Sequence, residues 1–209
     1  MSGLFVSRHP GALFIKLCGM TTPEAVHAAL DCEVDAIGFV FAPSVREVTT
    51  QRANELAAPA RRRVACVAVT RHPSPEAVAA IVSEFRPDIL QTDIEDLDSL
   101  SLPKSLSVLP VIRPGPAGAC LVARRVLFEG PVSGSGQTTD WQQAAELAAR
   151  TEVILAGGLN ALNVAQAIRQ VHPFGVDVSS GVEERPGLKS TQKIAQFVAA
   201  ARAAALEIA

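Results

Sequence analysis

From Phe14 onward the chain alternates short apolar runs with longer, alanine-rich segments whose apolar positions recur every three or four residues. The runs are Phe14–Leu17, Ala36–Phe39, Val64–Val69, Ile89–Gln91, Ser107–Ile112, Arg125–Phe128, Val153–Ala156 and Gly175–Val178. They are short and rich in Val, Ile and Leu, the pattern of strands buried on both faces. The segments between them predict helices over Pro23–Asp31, Thr50–Ala58, Ser74–Glu84, Asp96–Ser101, Ala117–Ala123, Trp141–Arg150, Asn160–Gln170 and Ser190–Glu207. The first starts Thr22-Pro23-Glu24, which supplies an N-cap, a first-turn proline and an acid suited to the helix dipole. The fourth and fifth are the weakest, the fifth because Pro114, Gly115, Pro116 and Gly118 crowd its start. Strand and helix in strict alternation, eight times over, predict an α/β protein with a parallel sheet closed into a (β/α)8 barrel. No linker-like stretch interrupts the repeat, so residues 1–209 read as one domain. Residues 1–12 carry no pattern and read as a loose leader.

Composition narrows the partners. The 209 residues are 48% hydrophobic and 19% charged, with a formal net charge of -2 and a pI near 6.1. The densest basic run is Arg61-Arg62-Arg63, too small a patch to point to nucleic acid or to an anionic membrane. No apolar run approaches a membrane span, and the N-terminus lacks the apolar core of a signal peptide, so a cytoplasmic location is expected. Cys18, Cys32, Cys66 and Cys120 are widely spaced, which speaks against a metal site and against a disulfide framework.

In a barrel the chemistry gathers where the strands end. Strand 1 runs into Cys18, the second strand is followed by a loop carrying Arg46, and the sixth ends at Glu129. Gly157 and Gly158 follow the seventh strand; the eighth contains Asp177 and leads into Ser179, Ser180 and Gly181. Glycines that let backbone N–H groups approach, with hydroxyls beside them, after strands 7 and 8 predict a phosphate site. The Ser133–Gly136 loop is expected to fold over the ligand. A thiol, a carboxyl and a guanidinium facing a phosphate site predict proton transfer on a phosphosugar. No histidine falls at these strand ends, which argues against a Cys-His acyl-transfer centre.

Several stretches carry a resemblance. Lys16-Leu17-Cys18-Gly19-Met20-Thr21, Asp35–Phe41, Ser44-Val45-Arg46, Gly134–Trp141, Leu155–Asn160, Gly175–Glu183 and Pro186–Lys189 follow one another in the order found in phosphoribosylanthranilate isomerases of tryptophan biosynthesis. The chain resembles that family from about Phe14 to Phe197. The resemblance implies a TIM barrel that carries out an Amadori rearrangement on a small phosphosugar, with neither cofactor nor metal, as a monomer or homodimer. It implies that Cys18 is the general base and Glu129 the general acid. Arg46 is to hold the anthranilate carboxylate, Asp177 to line the sugar pocket, and Gly157, Gly158, Ser179, Ser180 and Gly181 to cradle the phosphate. The chain departs from the family pattern twice. Glu129 stands where an aspartate is usual, and Gln91-Thr92-Asp93-Ile94 stands where Gln-Leu-His-Gly is usual, so Thr92 or Asp93 is left to fill the histidine's place. Lys16 is given no role. The remaining readings are a sister isomerase that acts on the histidine-pathway aminoaldose or on both substrates, which has an aspartate at the end of strand 1, and a barrel that binds phosphosugars without turning them over.

Overall fold

A computed structural model describes residues 13–114, 123–130 and 139–208. Eight parallel strands pair in sequence order and close on themselves. They are β1 (Phe14–Cys18), β2 (Ala36–Val40), β3 (Ala65–Val69), β4 (Ile89–Asp93), β5 (Ser107–Ile112), β6 (Arg125–Phe128), β7 (Glu152–Leu155) and β8 (Gly175–Val178). The helices are α1 (Pro23–Asp31), α2 (Thr50–Ala57), α3 (Pro75–Glu84), α4 (Trp141–Ala148), α5 (Val164–Val171) and α6 (Thr191–Ile208). The (β/α)8 barrel expected from the hydrophobic pattern is therefore present.

Strand parity separates two apolar layers. One set of alternate residues, including Phe14, Ala36, Val67, Ile89, Leu109, Val111, Leu127 and Ile154, packs together as the barrel interior. The other set, including Ile15, Leu17, Ile37, Leu90, Val126, Val153 and Val176, packs with the inner faces of the helices. The same parity turns Lys16, Cys18, Gln91, Asp93, Glu129 and Asp177 toward the barrel interior, because they alternate with residues of the helix-facing layer.

Local signals account for most element ends. Thr22, Thr49 and Ser74 each accept a hydrogen bond from the backbone N–H three residues on, capping α1, α2 and α3. The structure departs from the pattern in three places. After β4 the expected α-helix is a 3-10 segment over Ile94–Ser99, as befits a short run with three acids and a serine. The helix expected from Asn160 starts at Val164 instead, because Asn160 and Asn163 spend their side chains on backbone groups of the preceding turn. The helix expected over Ala117–Ala123 and the loop Ser133–Gly136 fall outside the described residues, as do residues 1–12. Finally, a hairpin of β9 (Glu183–Arg185) and β10 (Leu188–Lys189) follows β8. Its turn contains Pro186 and Gly187, and Gly187 has φ +83 with room for no Cβ against the Val45 carbonyl, 2.6 Å away. Among the described residues no helix is long and apolar enough to cross a membrane.

Candidate active site

Cys18 is the last residue of β1 and 7% exposed. In register beside it on β2 is Gly38, where a Cβ would stand 3.1 Å from the Cys18 Sγ. The thiol occupies the volume that a side chain at position 38 would take. Lys16, two residues earlier on the same face and 1% exposed, lies in register with Asp177 of β8. Its Nζ reaches the Asp177 Oδ1 at 2.9 Å. Burial pulls the Lys16 ammonium down, yet Asp177 and the Cys18 thiol hold it above its ordinary value. Burial, with the Asp177 carboxylate, holds the Cys18 thiol above its ordinary value, while Lys16 and, more weakly, Lys189 draw it back part of the way. The thiol is thus buried with a cation on its own strand.

The two loops expected to hold a phosphate meet at the same end of the barrel. Gly157 and Gly158 both have positive φ, +91 and +65. A Cβ on Gly157 would fall 2.2 Å from the Thr139 Oγ1, whose hydroxyl donates to the Ala156 carbonyl at 2.6 Å. Ser179 and Ser180 follow β8, and Ser180 opens a 3-10 turn over Ser180–Val182. Gly181 within that turn meets the backbone of the β7 loop: a Cβ there would lie 1.9 Å from the Leu159 carbonyl oxygen. Gly181 therefore joins the two loops from behind and does not line the cavity they form. Lys189, brought over by the hairpin and 5% exposed, donates to the Ser179 carbonyl at 2.9 Å and to its Oγ at 3.1 Å. Burial lowers the Lys189 ammonium, and Glu183 opposes the shift.

Arg46 lies across the mouth with its fork closed on Glu183, Nε to Oε1 at 2.7 Å and Nη2 to Oε2 at 2.9 Å. Such two-pronged pairing fixes the plane of the guanidinium. Burial pushes the Glu183 carboxyl up, but Arg46 and Lys189 together hold it below its ordinary value. On the opposite wall Arg113, one residue beyond β5, donates from Nη1 to Asp93 and from Nη2 to the Glu129 Oε1 at 2.6 Å. Asp93 is 1% exposed, and its Oδ2 lies 3.7 Å from the Nδ1 of His72, which meets Asp96 at 3.0 Å. Thr92, of opposite parity, faces away from the interior and donates to Asp96.

These walls enclose a cavity of about 180 Å3 lined by Cys18, Arg46, Asp93, Arg113, Glu129, Gly157, Gly158, Asp177, Ser179 and Ser180, among others. The family model described as "N-(5'phosphoribosyl)anthranilate (PRA) isomerase" matches residues 15–200. The chain belongs to the phosphoribosylanthranilate isomerase family. An N-(5'-phosphoribosyl)anthranilate isomerase of Bradyrhizobium sp. (strain BTAi1 / ATCC BAA-1182) is 38% identical over 212 residues, covering 92% of this chain and 97% of the relative. A crystal structure of phosphoribosyl anthranilate isomerase from Thermus thermophilus superposes with TM-score 0.79 at 30% identity, over 90% of this chain and 98% of that one. A second phosphoribosyl anthranilate isomerase, solved in complex with reduced 1-(o-carboxyphenylamino)-1-deoxyribulose 5-phosphate, superposes equally well, with TM-score 0.79 and 28% identity, over 91% of this chain and 99% of that one.

Of the residues singled out from this isomerase's sequence, eight share the cavity: Cys18, Glu129, Arg46, Asp177, Gly157, Gly158, Ser179 and Ser180. Gly181 lies behind it. Sequence reasoning gave no part to Lys16, Glu183, Lys189 or Arg113. Lys16 and Arg113 carry a legible signal, namely a charge at an inward-facing strand position. Glu183 and Lys189 fall at the ends of two resemblance stretches, but Glu-Glu-Arg has no apolar pattern to show a strand there.

Proposed function

We propose that this chain converts N-(5′-phosphoribosyl)anthranilate into 1-(2-carboxyphenylamino)-1-deoxyribulose 5-phosphate, with Glu129 as acid and Cys18 as base. The observation that carries the assignment is their common cavity: both side chains end inward-facing strand positions, beside the loops of Gly157-Gly158 and Ser179-Ser180. Glu129 protonates the ribose ring oxygen as the C1′–O bond breaks, and the anthranilate nitrogen lone pair closes a C1′=N bond. The Cys18 thiolate then takes the C2′ proton, and the electron pair of that C–H bond moves to give the enolamine. Proton return to C1′ and loss of the enol proton leave the 2′-ketone. No electron leaves the substrate and no redox partner is needed.

The phosphate fits the backbone of the β7 and β8 loops, with the Ser179 and Ser180 hydroxyls as further donors and Lys189 behind Ser179. Arg46 retains donors at Nη1 for the anthranilate carboxylate, and Glu183 holds its plane. Lys16 favours the thiolate and offsets part of the upward push that burial gives the Cys18 thiol. Asp177 keeps Lys16 charged and lines the sugar pocket.

Steady-state turnover of phosphoribosylanthranilate tests the assignment. Cys18→Ala and Glu129→Gln are each expected to lower kcat by at least about 100-fold, while the reduced product analogue still binds both. Wild-type turnover in either variant removes that residue from its role. Binding of the analogue by a wild-type protein that turns nothing over would favour a phosphosugar-binding barrel instead.

A further inference from the structure

Asp93 ends β4, and Arg113 and Glu129 lie one residue past β5 and β6; register puts Arg113 level with Glu129 and two residues beyond the partner of Asp93. Asp93 pairs with Val111, Ile112 pairs with Phe128, and the Glu129 N–H donates to the Ile112 carbonyl at 3.1 Å. Arg113 and Glu129 thus each lie one residue past a registered pair. The Arg113 guanidinium bridges the two carboxylates on either side, Nη1 on Asp93 and Nη2 on the Glu129 Oε1. The two ends of this bridge are unequal. Asp93 is almost wholly buried within its strand, so it is a fixed point. Glu129 has three rotatable side-chain bonds and is exposed to the cavity, so an unheld carboxyl would sample several positions there.

We propose that Arg113 is a positioning residue for Glu129: anchored on Asp93, it grips Oε1 and so sets where the carboxyl stands in the cavity. The inference rests on the reading of Glu129 as the acid. It assigns Arg113 an effect that exists only through Glu129, and Asp93 the part of its anchor. A carboxyl displaced by about 1 Å can cost about 100-fold in rate.

A double-mutant cycle separates this from the alternatives. Arg113→Gln is expected to lower kcat 10- to 100-fold with KM changed less than about threefold. In a Glu129→Gln background the same change is expected to cost less than twofold, since there is no acid left to place. Arg113→Lys, which keeps the charge but not the fork, is expected to recover part of the loss. Should Arg113→Gln fail to fold because Asp93 is stranded, the pair Arg113→Gln, Asp93→Asn removes both charges and is expected to show the same kcat loss. A crystal structure of that double variant is expected to show Glu129 displaced or in several conformers. An equal loss in the Glu129→Gln background, a loss in KM instead of kcat, or a Glu129 unmoved in the variant would overturn the proposal. If Glu129→Gln alone keeps full turnover, the acid assignment fails; the crystal structure still decides whether Arg113 holds the side chain.

Discussion

Lys16→Met leaves the Asp177 carboxylate buried beside an apolar side chain and takes a cation away from the Cys18 thiol. Lys16 is 1% and Asp177 8% exposed at the side chain, so water screens the 2.9 Å pair very little. Removing one partner of a buried pair costs about 3–5 kcal/mol. At about 2–4 °C per kcal/mol for a chain of this size, the melting temperature should fall by about 6–20 °C. Adding Asp177→Asn removes the stranded charge and should restore most of that loss. The effect on the thiol is separate. Lys16 draws the Cys18 thiol down, while burial and the Asp177 carboxylate push it up, so taking the cation away should raise the thiol further and lower its thiolate fraction. Iodoacetamide alkylation at pH 8 and 20 °C, followed on the Cys18 peptide by mass spectrometry, reads this fraction directly, and kcat should fall with it. Alkylation of Cys18 at the wild-type rate in Lys16→Met would refute the electrostatic coupling. A melt within about 2 °C of wild type would refute the energetic account of the pair.

Two further outcomes follow from the same geometry. Gly38→Ala puts a methyl 3.1 Å from the Cys18 Sγ and 3.3 Å from the Val69 Cγ2, so the thiol must yield by a few tenths of an ångström; kcat should fall about tenfold or more, with the melting temperature within a few degrees of wild type, whereas full turnover would mean that the thiol tolerates displacement. Glu183 is held below its ordinary value of 4.5 by Arg46 and Lys189, against burial; because its folded value is the lower one, the stability it contributes is complete above about pH 4.5 and is lost as pH falls through the folded value. Urea midpoints between pH 3 and 6 should show that loss in the wild type and a flatter profile, about 3 kcal/mol lower at pH 7, in Glu183→Gln; parallel profiles would sink the assignment.

Most of the barrel was legible because its signal is local. The eight apolar runs match the eight strands to within one or two residues, since a strand buried on both faces needs a continuous run of apolar side chains. Thr22 and Ser74 announced two helix starts in the same way. What failed to register had no local signature. Asn160 looked like a helix start, but its side chain accepts from the Leu162 N–H in a turn that precedes the helix at Val164. The charged β9 strand has no apolar pattern, and with it the sequence hid Glu183 and Lys189. Parity separates Thr92 from Asp93: the strand runs on to Asp93, which puts Asp93 inside and Thr92 outside.

The sequence by itself determined the fold class, the strand ends and the chemical types gathered there: one thiol, two glycine-rich loops, an arginine and a carboxyl. It could do so because hydrophobic period and turn chemistry act over a few residues. Only the tertiary structure decided the partnerships. Lys16 meets Asp177 across 161 residues, Arg46 meets Glu183 across 137, and Arg113 reaches two neighbouring strands at once. Those pairs depend on how the barrel closes and on the register between strands, which no stretch of chain specifies alone. For that reason the thiol and the carboxyl could be found from sequence, while the pairing of Lys16 with Asp177 and the bridge from Arg113 to Asp93 and Glu129 could not.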